Sequence, residues 1–118
     1  GGRWQLALDV LASMPALRVA PDVVSCNSAI SACEKGEQWQ HALALLETVT
    51  ELQIAPTVIT CNSAVSACEK SGRWQSALSV FNSMEARRVV PDVISCNAAM
   101  SACGKGSQWE IALALFGS

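Results

Sequence analysis

Apolar positions along the chain fall into two alternating helical rhythms. Cys26, Ala29, Ile30 and Cys33 recur at offsets 0, +3, +4 and +7, and Trp39, Ala42, Leu43, Leu46 and Val49 follow at 0, +3, +4, +7 and +10. Each set lies along one side of a helix of about 3.6 residues per turn. The pattern predicts a first helix from Val23, ended by Gly36, and a second from Gln38 to about Leu52. The few residues around Gly36 leave room only for a tight antiparallel hairpin, and Ile54-Ala55-Pro56 breaks the chain before the pattern restarts. The expected fold class is all-α.

The rhythm repeats with a fixed step. Tryptophans stand at 4, 39, 74 and 109, each 35 residues from the last, and Pro21, Pro56 and Pro91 keep the same interval. So do Asn27, Asn62 and Asn97, Lys35, Lys70 and Lys105, and two columns of cysteine. A fixed period with helical patterning predicts a solenoid, in which each unit buries its apolar surface by stacking on its neighbours. In this register 23–57 and 58–92 are whole units, 1–22 is the second helix of an earlier one, and 93–118 is a first helix and most of a second. The end segments Leu6-Ala7-Leu8 and Ile111-Ala112-Leu113 are as apolar as the interior, where an array ordinarily carries polar caps. A fragment of a longer protein is the expectation.

Composition narrows the function classes. A chain of 118 residues holds one modest domain, which excludes a two-domain enzyme. Hydrophobic residues make up 51% and charged ones 15%, so the chain folds and is not a polyelectrolyte. Eight basic against ten acidic residues give a net charge of -2, which counts against an indiscriminate grip on nucleic acid through bulk charge. Any such site is local. No apolar run approaches the roughly 18 residues of a membrane span. Cys26 and Cys33 lie seven residues apart on one helical face, about 10.5 Å along the axis, too far for a disulfide or a shared metal within one unit. Small buried apolar residues, reduced and intracellular, are expected there, and neither metal nor cofactor.

The first helix presents a chemical stripe. From Val24 to Lys35 is eleven residues, or about 1100°, three turns plus about 20°. Asn27 and Ser31 fall on the same stripe. Stacked units would turn it into a surface with an aliphatic wedge for a base face, an amide for a base edge and a cation for a phosphate.

The stretch Val58-Ile59-Thr60-Cys61-Asn62-Ser63-Ala64-Val65, followed by Cys68-Glu69-Lys70-Ser71-Gly72-Arg73, Ala77-Leu78, Val80-Phe81, Met84 and Val90-Pro91-Asp92, resembles the pentatricopeptide repeat family. The likeness runs in register along the whole chain. It departs from the family pattern where Cys26, Cys61 and Cys96 replace a usual Tyr, where the tryptophans replace a smaller apolar residue, and where Gln53 and Arg88 replace a glycine. The resemblance implies a right-handed solenoid of helical hairpins, an α-α superhelix, that binds single-stranded RNA at roughly one base per unit. It implies that Asn27, Asn62 and Asn97 read base edges, helped by Asp22, Thr57 and Asp92. Val24, Ile59 and Ile94 would sandwich bases, and Lys35, Lys70 and Lys105 would contact phosphates. By the family's recognition code the pairing of Asn62 with Asp92 implies uracil, and that of Asn27 with Thr57 a pyrimidine. The family's usual work is guiding processing, editing, stability or translation of transcripts in mitochondrion or plastid.

Each column also has a plain structural account. Asp22, Thr57 and Asp92 stand where a helix N-cap belongs. The lysines end helices, where a cation complements the dipole. The asparagines have the poorest such account, since a mid-helix amide neither favours the helix nor obviously packs. Trp39 and its counterparts open the second helix's apolar stripe and are expected in the core, and His41 beside that stripe is expected in solvent. No general-base constellation, phosphate loop or deaminase motif is present, so no catalytic residue, small-molecule substrate or membrane partner is expected, although a parent protein could carry a catalytic domain. The competing class is a protein-interaction scaffold of tetratricopeptide type. Its 34-residue step and Trp-Leu-Gly-Tyr pattern are missing here.

Overall fold

The computed structural model describes residues 3–14, 16–18 and 22–105. Among them are six helices and no strand: α1 Arg3–Ser13, α2 Val23–Lys35, α3 Trp39–Glu51, α4 Val58–Lys70, α5 Trp74–Ser83 and α6 Val93–Lys105. The helices fall where the apolar rhythm predicts them. Trp109, Pro21 and the expected second helix of the last unit lie outside the described residues.

The helices form two layers. The first helices α2, α4 and α6 pack side by side, while α1 packs on α2, α3 on α2 and α4, and α5 on α4 and α6. Among the described residues α1, α3 and α5 make no close backbone contact with one another. Furrows run between them, one of about 410 Å³ lined by Leu8, Leu11, Ala12, Leu45 and Leu52. The next furrow, between α3 and α5, is crossed by Arg87, whose guanidinium reaches Glu47 at 3.1 Å and Ser83 at 3.2 Å and also bonds the Thr50 hydroxyl.

The core runs between the layers. Ile30, Leu46, Val65 and Met84 are fully buried, together with Cys26, Cys33, Cys61, Cys68 and Cys103. All six cysteines are free thiols. Burial raises the Cys68 thiol to about 11, so it stays protonated and packs as a small apolar group. Cys96 is the exposed member of the set.

One expectation needs correction. Trp4, Trp39 and Trp74 pack against the core yet stay half-exposed, because each stands at the first turn of a second helix. Trp39 there takes the Arg73 guanidinium over its ring at 4.9 Å, and Trp4 tilts against the exposed His41 at 4.7 Å. Gly36 ends α2 as expected, as its C-cap at φ -86°. The left-handed residue of the turn is Glu37, at φ 57°, and in the next unit Gly72, at φ 71°. Gly36 also matters for space, since a Cβ there would meet Trp4 Cδ1 at 2.6 Å.

The second helices end in a matching way. Gln53 and Arg88 adopt φ 58° and 61°, while Ile54 N–H bonds Val49 O at 3.0 Å and Val89 N–H bonds Met84 O at 2.8 Å. These bonds satisfy carbonyls that a helix end leaves open. Residues with side chains thus occupy the left-handed position that a glycine fills without steric cost.

Candidate nucleic-acid interface

The row of first helices carries an exposed aliphatic line. Val24, Ile59 and Ile94 are 66%, 61% and 64% exposed, although each belongs to a helix whose neighbouring turns are sealed. Three such side chains stand at one register on helices that pack side by side, making a ribbed apolar surface.

Beside the ribs lie the asparagines, and here the structure supplies what the sequence did not. Asn62 Nδ2 donates to Asp92 Oδ1 at 3.1 Å, and the Ser95 hydroxyl donates to Asn62 Oδ1. One unit earlier, Asn27 Nδ2 donates to Thr57 Oγ1 at 3.4 Å, and the Thr60 hydroxyl donates to Asn27 Oδ1. Each amide therefore bridges from its own helix to the cap of the next. A primary amide has two N–H donors and two acceptor lone pairs. One of each is used, and one of each remains on a half-buried group. Asn97 is exposed.

The cap residues act as caps as well. Asp22 Oδ1 accepts the Ser25 N–H at 2.9 Å, and Asp92 Oδ1 accepts the Ser95 N–H at 2.9 Å. Thr57 and Thr60 form a reciprocal capping box. The backbone N–H of Ser95 first, and then the Asn62 amide, hold the Asp92 carboxyl below its ordinary range. The Ser25 N–H does the same for Asp22. Capping and amide bridging thus use the same oxygen of Asp92.

Thr60 and Ser95 are fully buried polar residues, and the sequence reading passed over them. A signal was present: Ser25, Thr60 and Ser95 stand three residues beyond Asp22, Thr57 and Asp92, at capping-box distance.

The lysines are less simply placed. Lys35 is exposed at the end of α2. The ammonium of Lys70 forms an ion pair with the Glu34 carboxylate of the preceding unit. Lys70 is the more exposed partner of the pair, so a phosphate arriving there would share the ammonium with a carboxylate already bound to it. The Lys105 side chain lies outside the described residues. Ser101 donates to Glu69 at 2.9 Å, linking α6 back to α4. No cluster of metal-ligating side chains occurs among the described residues.

The model of the pentatricopeptide repeat domain matches residues 9–71, more than half of the chain. The chain belongs to the pentatricopeptide repeat family. Related repeat models match residues 56–105 and 94–118. No curated protein matches by sequence. Among solved structures, the pentatricopeptide repeat protein PPR10 from maize superposes with a TM-score of 0.84 at 28% identity, over 98% of this chain. Its complex with an 18-nt psaJ RNA element gives 0.83 at 27%. The chain spans 17% of the maize protein's length. The pentatricopeptide repeat domain of Arabidopsis thaliana protein-only RNase P 1, in complex with tRNA, matches with a TM-score of 0.83 at 14% identity. That match covers 97% of this chain and 59% of that one, and it shows the shared fold alone. In this pentatricopeptide array α2, α4 and α6 touch one another directly, so the surface they make is continuous.

Proposed function

We propose that this chain is part of an array that binds single-stranded RNA by its first-helix face, each base entering a slot between two aliphatic ribs. The observation that carries the reading is the repeated arrangement of an exposed aliphatic rib beside an amide with one donor and one acceptor unspent. An apolar slot holds any base by stacking, and the amide edge distinguishes among bases. The slots take Val24 with Ile59 and Ile59 with Ile94. Asn62 with Asp92 is assigned uracil by the family's pairing code, and Asn27 with Thr57 a pyrimidine. Lys35, Lys70 and Lys105 serve the backbone phosphates, and the array supplies recognition and no catalysis. The RNA-bound maize relative of the same fold supports the partner class. The parent protein would work in a mitochondrion or plastid, occupying a defined site on a transcript that is processed, edited, stabilised or translated there.

The test is a titration of the chain with short RNAs at several salt concentrations. Asn62→Ala is expected to relax preference at one base. Lys70→Ala is expected to weaken all sequences alike and to shallow the salt slope by about one unit. Equal binding of RNA and an unrelated acidic peptide would count for a protein scaffold instead.

A further inference from the structure

We infer that the buried hydroxyl at the third position of the following first helix, Thr60 for Asn27 and Ser95 for Asn62, is a positioning residue that sets which pyrimidine the asparagine prefers. The inference rests on the base-reading function proposed above.

Uracil and cytosine have the same outline but opposite polarity on the edge that distinguishes them. Uracil offers an N3–H donor beside an O4 acceptor, and cytosine an N3 acceptor beside an N4 amino donor. An asparagine amide with one free N–H and one free lone pair complements either, depending on which way round the amide stands. Whatever fixes the amide orientation therefore fixes the preference.

At Asn62 the orientation is fixed twice. The Asp92 carboxylate has no proton, so the group facing it is Nδ2, at 3.1 Å. The Ser95 oxygen accepts the Asp92 N–H at 3.2 Å, which leaves the hydroxyl one proton to give. The Ser95 hydroxyl lies within bonding reach of both Asp92 Oδ1, at 3.0 Å, and Asn62 Oδ1; since Asp92 Oδ1 already takes the Ser95 N–H and the Asn62 amide, the closer Asn62 Oδ1 takes that proton. Turning the amide over would set its oxygen against a carboxylate.

At Asn27 the cap is neutral, and only Thr60 decides. The Thr60 oxygen accepts the Thr57 N–H at 3.0 Å and its proton goes to Asn27 Oδ1, leaving Nδ2 for Thr57. The Thr57 hydroxyl is both donor and acceptor. Without the Thr60 hydroxyl, Thr57 has its own proton to offer to Asn27 Oδ1, and the amide turns over. A cap that tolerates both orientations hands the choice to the buried hydroxyl behind it.

Thr60→Val keeps the shape and removes the hydroxyl. Binding to RNAs that differ only by uracil or cytosine at the base facing Asn27 should then shift toward cytosine by about ten-fold relative to the parent chain. Thr60→Ser should restore the parent ratio, and Thr60→Ala should shift it as Val does. Ser95→Ala should leave the uracil preference at Asn62 within about two-fold, because Asp92 still holds Nδ2. An unchanged ratio in both Thr60→Val and Thr60→Ala, with RNA still bound and Asn62→Ala still relaxing its own base, overturns the positioning role alone. Failure of the parent chain to bind any RNA overturns the proposed function and the inference built on it.

Discussion

The two layers of this array are built on opposite plans. The first helices touch one another directly and carry the same chemistry at each register: an aliphatic rib, an amide and a hydroxyl behind the amide. The second helices stand apart, and the furrows between them differ. One is apolar, with Ala12 and Leu52 at its rim, and the other is spanned by Arg87 between Ser83 and Glu47. The positions one period before Glu47 and Arg87 are Ala12 and Leu52, so the bridge has no counterpart in the earlier unit. A repeated unit keeps its chemistry where units must act in line and varies it where each furrow is closed locally.

This contrast can be attacked by substitution. Ile30→Ala removes a fully buried side chain from the continuous layer and should cost about 2–5 kcal/mol in urea unfolding, while Leu52→Ala at the apolar furrow should change stability by less than about 0.5 kcal/mol. Equal costs would erase the distinction between layers. Arg87→Ala cuts the bridged furrow and should cost about 1–2 kcal/mol, of which the ion pair with the exposed Glu47 supplies the smaller part. A double-mutant cycle with Glu47→Ala separates that part from the hydroxyl bonds. Gln53→Gly should raise stability by about 0.5–1 kcal/mol by relieving a left-handed residue at the end of α3.

On the first-helix face the expected effects are smaller. Glu34→Gln frees the Lys70 ammonium and should tighten RNA binding about three-fold with little change in unfolding. The gain should vanish in a Lys70→Ala background, whereas a general charge effect would persist there. The smallest effect is on pH. Asp22 and Asp92 have carboxyls lowered from 3.8 in the fold, so their contribution is whole above that value and fades as pH falls through the folded value. Asp92→Asn should flatten the acid limb of the stability profile, and an unaltered limb would show that its cap bonds contribute nothing.

Much of the fold was legible because the period of the apolar residues and the period of the whole unit are both arithmetical. Helix limits, the hairpin and the register of the Asn and cap columns follow from counting. What counting did not reach was contact between units. Asn27 looked unmotivated within its own helix because its partners, Thr57 and Thr60, lie about thirty residues on, beyond any helical period. The Lys70 column reads as a free cation until Glu34 of the unit before is seen against it. Gly36 reads as a helix stop and is one, but counting could not show that the ring of Trp4 from the unit before claims the space a Cβ would need there.

The gaps between second helices give the array a mechanical character. With α2, α4 and α6 in contact along one side and open furrows on the other, the joined side is the spine of a book and the second helices are its boards. Opening the furrow between α3 and α5 would break the bonds of Arg87 to Glu47 and Thr50, whereas Ala12 and Leu52, which hold the matching positions one unit earlier, have no polar side chain to make such a strap.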